Sequence, residues 1–174
     1  RRTVGVHRVF RGALVSFSIL VGGYAFILAS APDYRTKLVR LDLAQADLSG
    51  QDLTGISFRN AILINANLEG ATASRVNFEG AYLSHANMKE ADLSWTRFDG
   101  LRIQFSDFEN ANLFGSSFVG CDLSGSKFTN ANLINSDFQN AVMEAVNLRD
   151  ARLNWADLSR AILKGANLRE ASFM

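Results

Sequence analysis

The chain is short of nearly everything that catalysis draws on. Among its 174 residues are one cysteine, two histidines and one proline, and the formal charge is only +1. The lone Cys121 excludes an internal disulfide and leaves the redox compartment open. His7 and His85 stand in different segments, at neither the spacing of a zinc site nor that of a nucleophile triad. No phosphate-loop or dinucleotide pattern occurs, and Gly22-Gly23 falls inside an apolar stretch. A chain with only Pro32 must also make its turns by another device.

Charge is scarce in sum but uneven in placement. Arg1, Arg2, Arg8 and Arg11 crowd the beginning, so the first 37 residues carry about +5. From Leu38 onward, 12 basic and 16 acidic residues leave a body of about −4. Such a body offers no strongly basic surface to nucleic acid. With 48% hydrophobic residues, the chain can bury a core and shows no sign of disorder.

Residues 12–32 contain no charged side chain. At ~1.5 Å per residue, a helix of about 20 residues crosses a ~30 Å hydrocarbon layer. The expectation is a transmembrane helix over 12–32, preceded by a basic flank at 1–11 and followed by a linker at 33–37. The arginines ahead of it favour a cytoplasmic, stromal or matrix N-terminus, with the remainder on the lumenal or periplasmic side, although Arg35, Lys37 and Arg40 pull the other way. Membrane lipid is then one partner. Two other readings stay open. Arg1-Arg2 together with Ala29-Ser30-Ala31 resembles a cleaved secretory signal, which would leave a lumenal or periplasmic protein. A helix capping the end of a repeat array would keep a polar face, and this stretch has only scattered Ser16, Ser18 and Ser30. Arg1 is not a start methionine, so an upstream segment is expected, a targeting sequence being one explanation.

From Leu38 to Phe173 the chain repeats every five residues without a break in register. Of the 28 positions 38, 43, 48 and so on to 173, 27 are large and apolar, Ala73 being the exception. Two residues earlier the side chain is usually small, as in Ala46, Ala66, Cys121 and Ala151. Between them stands mostly Asp or Asn. A five-residue period matches neither a helix nor a flat strand, so the chain must bend about every five residues to keep the large side chains inside. Four sides to a circuit would stack residues 20 apart. The file Phe58, Phe78, Phe98, Phe118, Phe138 supports that period, because ring-on-ring packing between circuits favours such segregation.

The units Ala46-Asp47-Leu48-Ser49-Gly50, Ala66-Asn67-Leu68-Glu69-Gly70 and Ala166-Asn167-Leu168-Arg169-Glu170 closely resemble the pentapeptide-repeat family, over most of the chain. The resemblance implies an all-β fold, a right-handed quadrilateral β-helix over 38–174. About seven coils at ~4.8 Å spacing would make a rod ~30 to 35 Å long. It also implies Leu and Phe at every inward site, hence no pocket for a small-molecule substrate and no enzymatic role.

Asp42, Asp47 and Asp52 would project from three different sides, which argues against a paired acid and base; Asp and Asn beside the inward residue instead bond local backbone at the turns. Cys121 fills a small inward slot as a structural thiol. No metal site and no cofactor is expected. The residue before each large position is polar on three sides, but on the fourth it reads Ile62, Tyr82, Arg102, Asp122, Val142, Ile162, with Ile64 and Phe105 as neighbours. An apolar column in a polar register points to docking. Trp95, Phe114 and Trp155 read as further outward aromatics, each on a different line.

The function expected is therefore a non-enzymatic, membrane-anchored scaffold that serves as an accessory subunit of a larger integral-membrane complex. The family's abundance in photosynthetic bacteria and plastids implies a thylakoid setting. Family members that mimic DNA and bind topoisomerase give a second reading, to which the weakly charged body is poorly suited. Pairing of two rods through the Phe173 end is a third partner expectation.

Overall fold

The computed structural model describes residues 17–21, 24–28 and 42–173. Within the uncharged stretch the described residues form a hairpin where the sequence predicts a helix. Strand β1 (Phe17–Val21) pairs antiparallel with β2 (Tyr24–Leu28), Phe17 opposite Leu28 and Val21 opposite Tyr24. Over these ten residues the transmembrane-helix expectation for 12–32 is corrected to strand, while 12–16, 22–23 and 29–32 lie outside the described residues. Its length and lack of charge are compatible with either element, whereas its aromatic and β-branched residues, Phe17, Ile19, Val21, Tyr24, Phe26 and Ile27, favour strand. Among the described residues no helix is long and apolar enough to cross a membrane. The basic flank at 1–11, the linker at 33–37 and Leu38 lie outside the described residues.

From 42 to 173 the chain is a four-sided solenoid. Parallel bridges join residues 20 apart all along it: Asp42 with Ile62, Asp47 with Asn67, Asp52 with Thr72 and Ser57 with Asn77 begin the first, second, third and fourth sides. In each side the large residue donates its N–H to the next coil, as Leu63 does to the Tyr82 carbonyl at 2.8 Å. The residue before it donates to the previous coil, as Tyr82 does to the Ala61 carbonyl at 3.0 Å. Every coil thus satisfies the backbone of its neighbours, which is what lets such short sides persist.

The corner is made by a turn between successive large residues. The carbonyl of Leu43 accepts the Ala46 N–H at 3.0 Å, and Gln45 between them has φ 61°. A turn of this kind needs a third residue in the left-handed region. Every fifth residue from Gln45 to Glu170 has such a φ, and 15 of these 26 are Gly or Asn, the two residues for which the conformation costs least. This is the turning device that replaces proline.

Inside, the large residues pack as files. The rings of Phe58, Phe78, Phe98, Phe118 and Phe138 stack at 4.8–5.5 Å, tilted by 13° or less. A second, shorter file, Phe108 on Phe128 at 4.6 Å, stands opposite and meets the first edge-on at 5.9–6.2 Å. The quadrupole of each ring is thereby satisfied both along and across the rod. Several small slots hold a hydroxyl that donates to the preceding coil, Ser106 to the Leu83 carbonyl at 2.8 Å, Ser116 to Leu93 at 2.9 Å and Ser126 to Ile103 at 2.7 Å, whereas Ser136 donates to Leu133 of its own coil at 2.6 Å. Among the described residues no buried side-chain polar atom lacks a partner.

Candidate functional site

The polar sides consume their own chemistry. On the second side Asn67 donates its amide to Asp47 at 3.2 Å and Asn87 donates to Asn67 at 3.0 Å. On the third, Asn112 donates to Asp92 at 3.0 Å and Asn132 to Asn112 at 2.9 Å. The same carboxylates accept turn N–H groups two residues on, Asp47 from Ser49 and Asp92 from Ser94, as Asp42 does from Ala44 and Asp52 from Thr54. Asp42, Asp47 and Asp52 sit on separate sides, so the carboxylates do not pair. The hydroxyl and N–H of Ser49, with help from Asn67, hold the Asp47 carboxyl below its ordinary range.

Cys121 is buried and donates to the Phe98 carbonyl; burial pushes its thiol up to about 12. A thiol in that state is not a nucleophile. Among the described residues no group of His, Cys, Asp and Glu could hold a metal ion.

The first side differs. Its column Ile62, Tyr82, Arg102, Asp122, Val142, Ile162 faces outward, with Tyr82 55% and Ile162 49% exposed, while Ile62, Ile64 and Val142 are half-buried. Phe105 is 59% exposed on the same side, its ring stacked on His85 at 5.2 Å. The structure therefore brings together Ile62, Ile64 and Tyr82 toward one end and Val142 and Ile162 toward the other. Arg102 and a Gln104–Asp122 hydrogen bond of 2.7 Å lie between them. The surface is an apolar stripe with a polar middle.

The other outward aromatics are arranged differently from the sequence expectation. Trp95 and Trp155 do not stand on different lines: they occupy the same turn position of the third side, three coils apart, and Phe114 is half-buried beside Trp95, edge-on at 5.3 Å. Counting by five had assigned each residue a place in its repeat, but the line it shares depends on the 20-residue circuit. Sequence reasoning also missed the left-handed position itself, whose signal is the recurrence of Gly and Asn. Against that background Trp95, Phe105 and Trp155, at φ 58–59°, are among the eleven that are neither Gly nor Asn.

Stacked 20-residue circuits that hold their side chains in files at coil spacing define a solenoid repeat protein. The family model for pentapeptide repeats matches residues 42–144 and 147–173, in overlapping segments. The chain belongs to the pentapeptide-repeat family, and its solenoid is the right-handed β-helix of that family. Among solved structures, a pentapeptide repeat protein from the Arabidopsis thaliana thylakoid lumen is 32% identical, with 61% of this chain and 74% of that one covered and a TM-score of 0.58. HetL, a pentapeptide repeat protein involved in heterocyst differentiation regulation in a Nostoc cyanobacterium, is 28% identical over 76% of this chain and 72% of that one, at a TM-score of 0.33. QnrB1, a plasmid-mediated fluoroquinolone resistance protein, is 18% identical over 74% and 79%, at 0.37. No curated protein matches the chain.

Proposed function

We propose that this protein is a non-enzymatic interaction scaffold, an accessory subunit that docks on a larger assembly through the first side of its solenoid. The carrying observation is the exposure of Tyr82 and Ile162 in the column before the large residue, with Phe105 beside them, while the same column of the second and third sides is taken up by amide ladders. Apolar side chains held on a rigid sheet have lost little entropy on binding, which favours their use as anchors. The packed interior, filled at every coil by Leu, Met or Phe, supports a role without substrate or cofactor.

Likeness to the thylakoid-lumen protein supports a thylakoid setting with the solenoid on the lumenal side, in a photosynthetic or bioenergetic complex. A DNA-mimicking, topoisomerase-binding role is the less favoured reading. Such mimicry needs a strong negative field, and this body nets about −4 with Arg59, Arg75, Arg97, Arg102, Arg149, Arg152 and Arg160 spread along it.

The test is Tyr82→Glu. Circular dichroism is expected to match the unsubstituted protein, while native co-purification from membranes recovers the subunit without its assembly. A folded variant that still co-purifies in full overturns the docking side.

A further inference from the structure

A cleft of about 360 Å³ opens at the corner between the third and fourth sides, away from the docking stripe, lined by Trp95, Arg75, Arg97, Glu79 and Asp99 among others. Its size is at the low end of the ~300–1,000 Å³ usual for ligand sites, enough for a few side chains. We infer that this corner is a second binding site, for a short acidic peptide segment of a partner protein.

The wall is rigid. An ideal β-carbon on Gly115 would fall 2.6 Å from the Trp95 ring, so the indole lies flat over that glycine. Phe114 meets the ring edge-on at 5.3 Å. Yet Trp95 stays 49% exposed and holds φ 59°, a conformation that costs a non-glycine residue about 1–2 kcal/mol. Glycine fills the equivalent turn position nine times elsewhere, so the corner itself does not require tryptophan. The left-handed φ is common to every corner; what sets Trp95 apart is a large aromatic held in place by Gly115 and Phe114 yet left half exposed beside two arginines.

The charge decides what binds. Both carboxylates are already spent. Glu79 takes the Arg59 guanidinium at 2.8 Å, and Asp99 takes Arg97 through Nε at 3.0 Å and Nη2 at 2.8 Å. Asp99 also accepts the Ser117 hydroxyl and the Val119 N–H. Arg97 keeps its remaining donors in solvent, its side chain 82% exposed, and Arg75 makes no ion pair among the described residues. The unspent groups are the Arg75 guanidinium, the outer Nη donors of Arg97 and an indole face. They fit a carboxylate flanked by an apolar side chain. A long polyanion is disfavoured by the −4 body, so a peptide is a better occupant than nucleic acid.

The experiment is selection of a random-peptide display library on the full-length protein, followed by calorimetry with one enriched peptide. Asp or Glu beside Leu or Phe is expected to be enriched. Trp95→Gly, whose backbone suits glycine, and Arg75→Glu are each expected to weaken that peptide about tenfold or more, with affinity falling as salt rises. Tyr82→Glu is expected to leave it unchanged, which separates this site from the docking side. Enrichment of neutral or basic peptides, or of none, overturns the inference, as do acidic peptides indifferent to Trp95→Gly and Arg75→Glu. Trp95-dependent binding to phosphatidylglycerol vesicles without peptide enrichment overturns it as well.

Discussion

The ring of Phe105 occupies the space that a β-carbon on Gly125, one coil later, would need: two of its ring carbons lie 2.6 Å from that ideal position. An exposed aromatic on the first side is thus pinned between His85 beneath and a bare backbone above. The glycine is set both by its φ of 70° and by this close approach. Gly125→Ala is expected to cost about 1–2 kcal/mol in urea unfolding through the left-handed φ alone. It is also expected to swing the Phe105 ring off His85. A loss of co-purification in a variant that remains folded would register the second effect separately.

The phenylalanine file sets the interior. Phe98 stacks on Phe78 at 5.5 Å and Phe118 at 4.8 Å and meets Phe108 edge-on at 6.1 Å. Phe98→Leu keeps the burial and loses the ring pairs, at about 0.5–1.5 kcal/mol for each stacked neighbour. Phe98→Asp places an unpaired charge in the core and is expected to leave no folded solenoid by circular dichroism.

Ala145 holds the left-handed turn position at φ 53° without being glycine or asparagine. Ala145→Gly relieves that strain, partly offset by the freedom glycine gains when unfolded. A gain of a few tenths to about 1 kcal/mol, or about 1–4 °C in melting temperature, is expected from thermal unfolding.

Cys121 sits in a slot where Ser106, Ser116 and Ser126 each donate to the carbonyl 23 residues back, as the thiol itself does to Phe98. Cys121→Ser is therefore expected to keep the fold, its hydroxyl taking over that bond. With its thiol pushed up to about 12, native Cys121 is expected to resist iodoacetamide at pH 8 and to react at once in denaturant, read by mass spectrometry.

Much of this was legible from residue order. The five-residue period, the inward Leu and Phe, the small slots and the turn-bonding Asp and Asn are local rules, each repeated often enough to be read directly. The Phe58 to Phe138 file followed because a 20-residue circuit places those rings one above another with no aliphatic residue between them. The second file, Phe108 on Phe128, needed the geometry across the core, since its members are flanked in sequence by Met88 and Leu148.

The sequence by itself determined the solenoid, since every fifth side chain must be buried and a chain of this composition can do that only by turning corners. It also marked the first side as the apolar one. Only the tertiary structure decided that Phe17–Val21 and Tyr24–Leu28 pair as strands, because an uncharged run satisfies its backbone equally well within a helix or across a hairpin. The third dimension likewise laid Trp95 over Gly115 and Phe105 over Gly125, and made a cleft between the corners at 75–79 and 95–99. Those relationships join residues a full circuit apart, and the space between side chains on adjacent coils is set by how the coils stack.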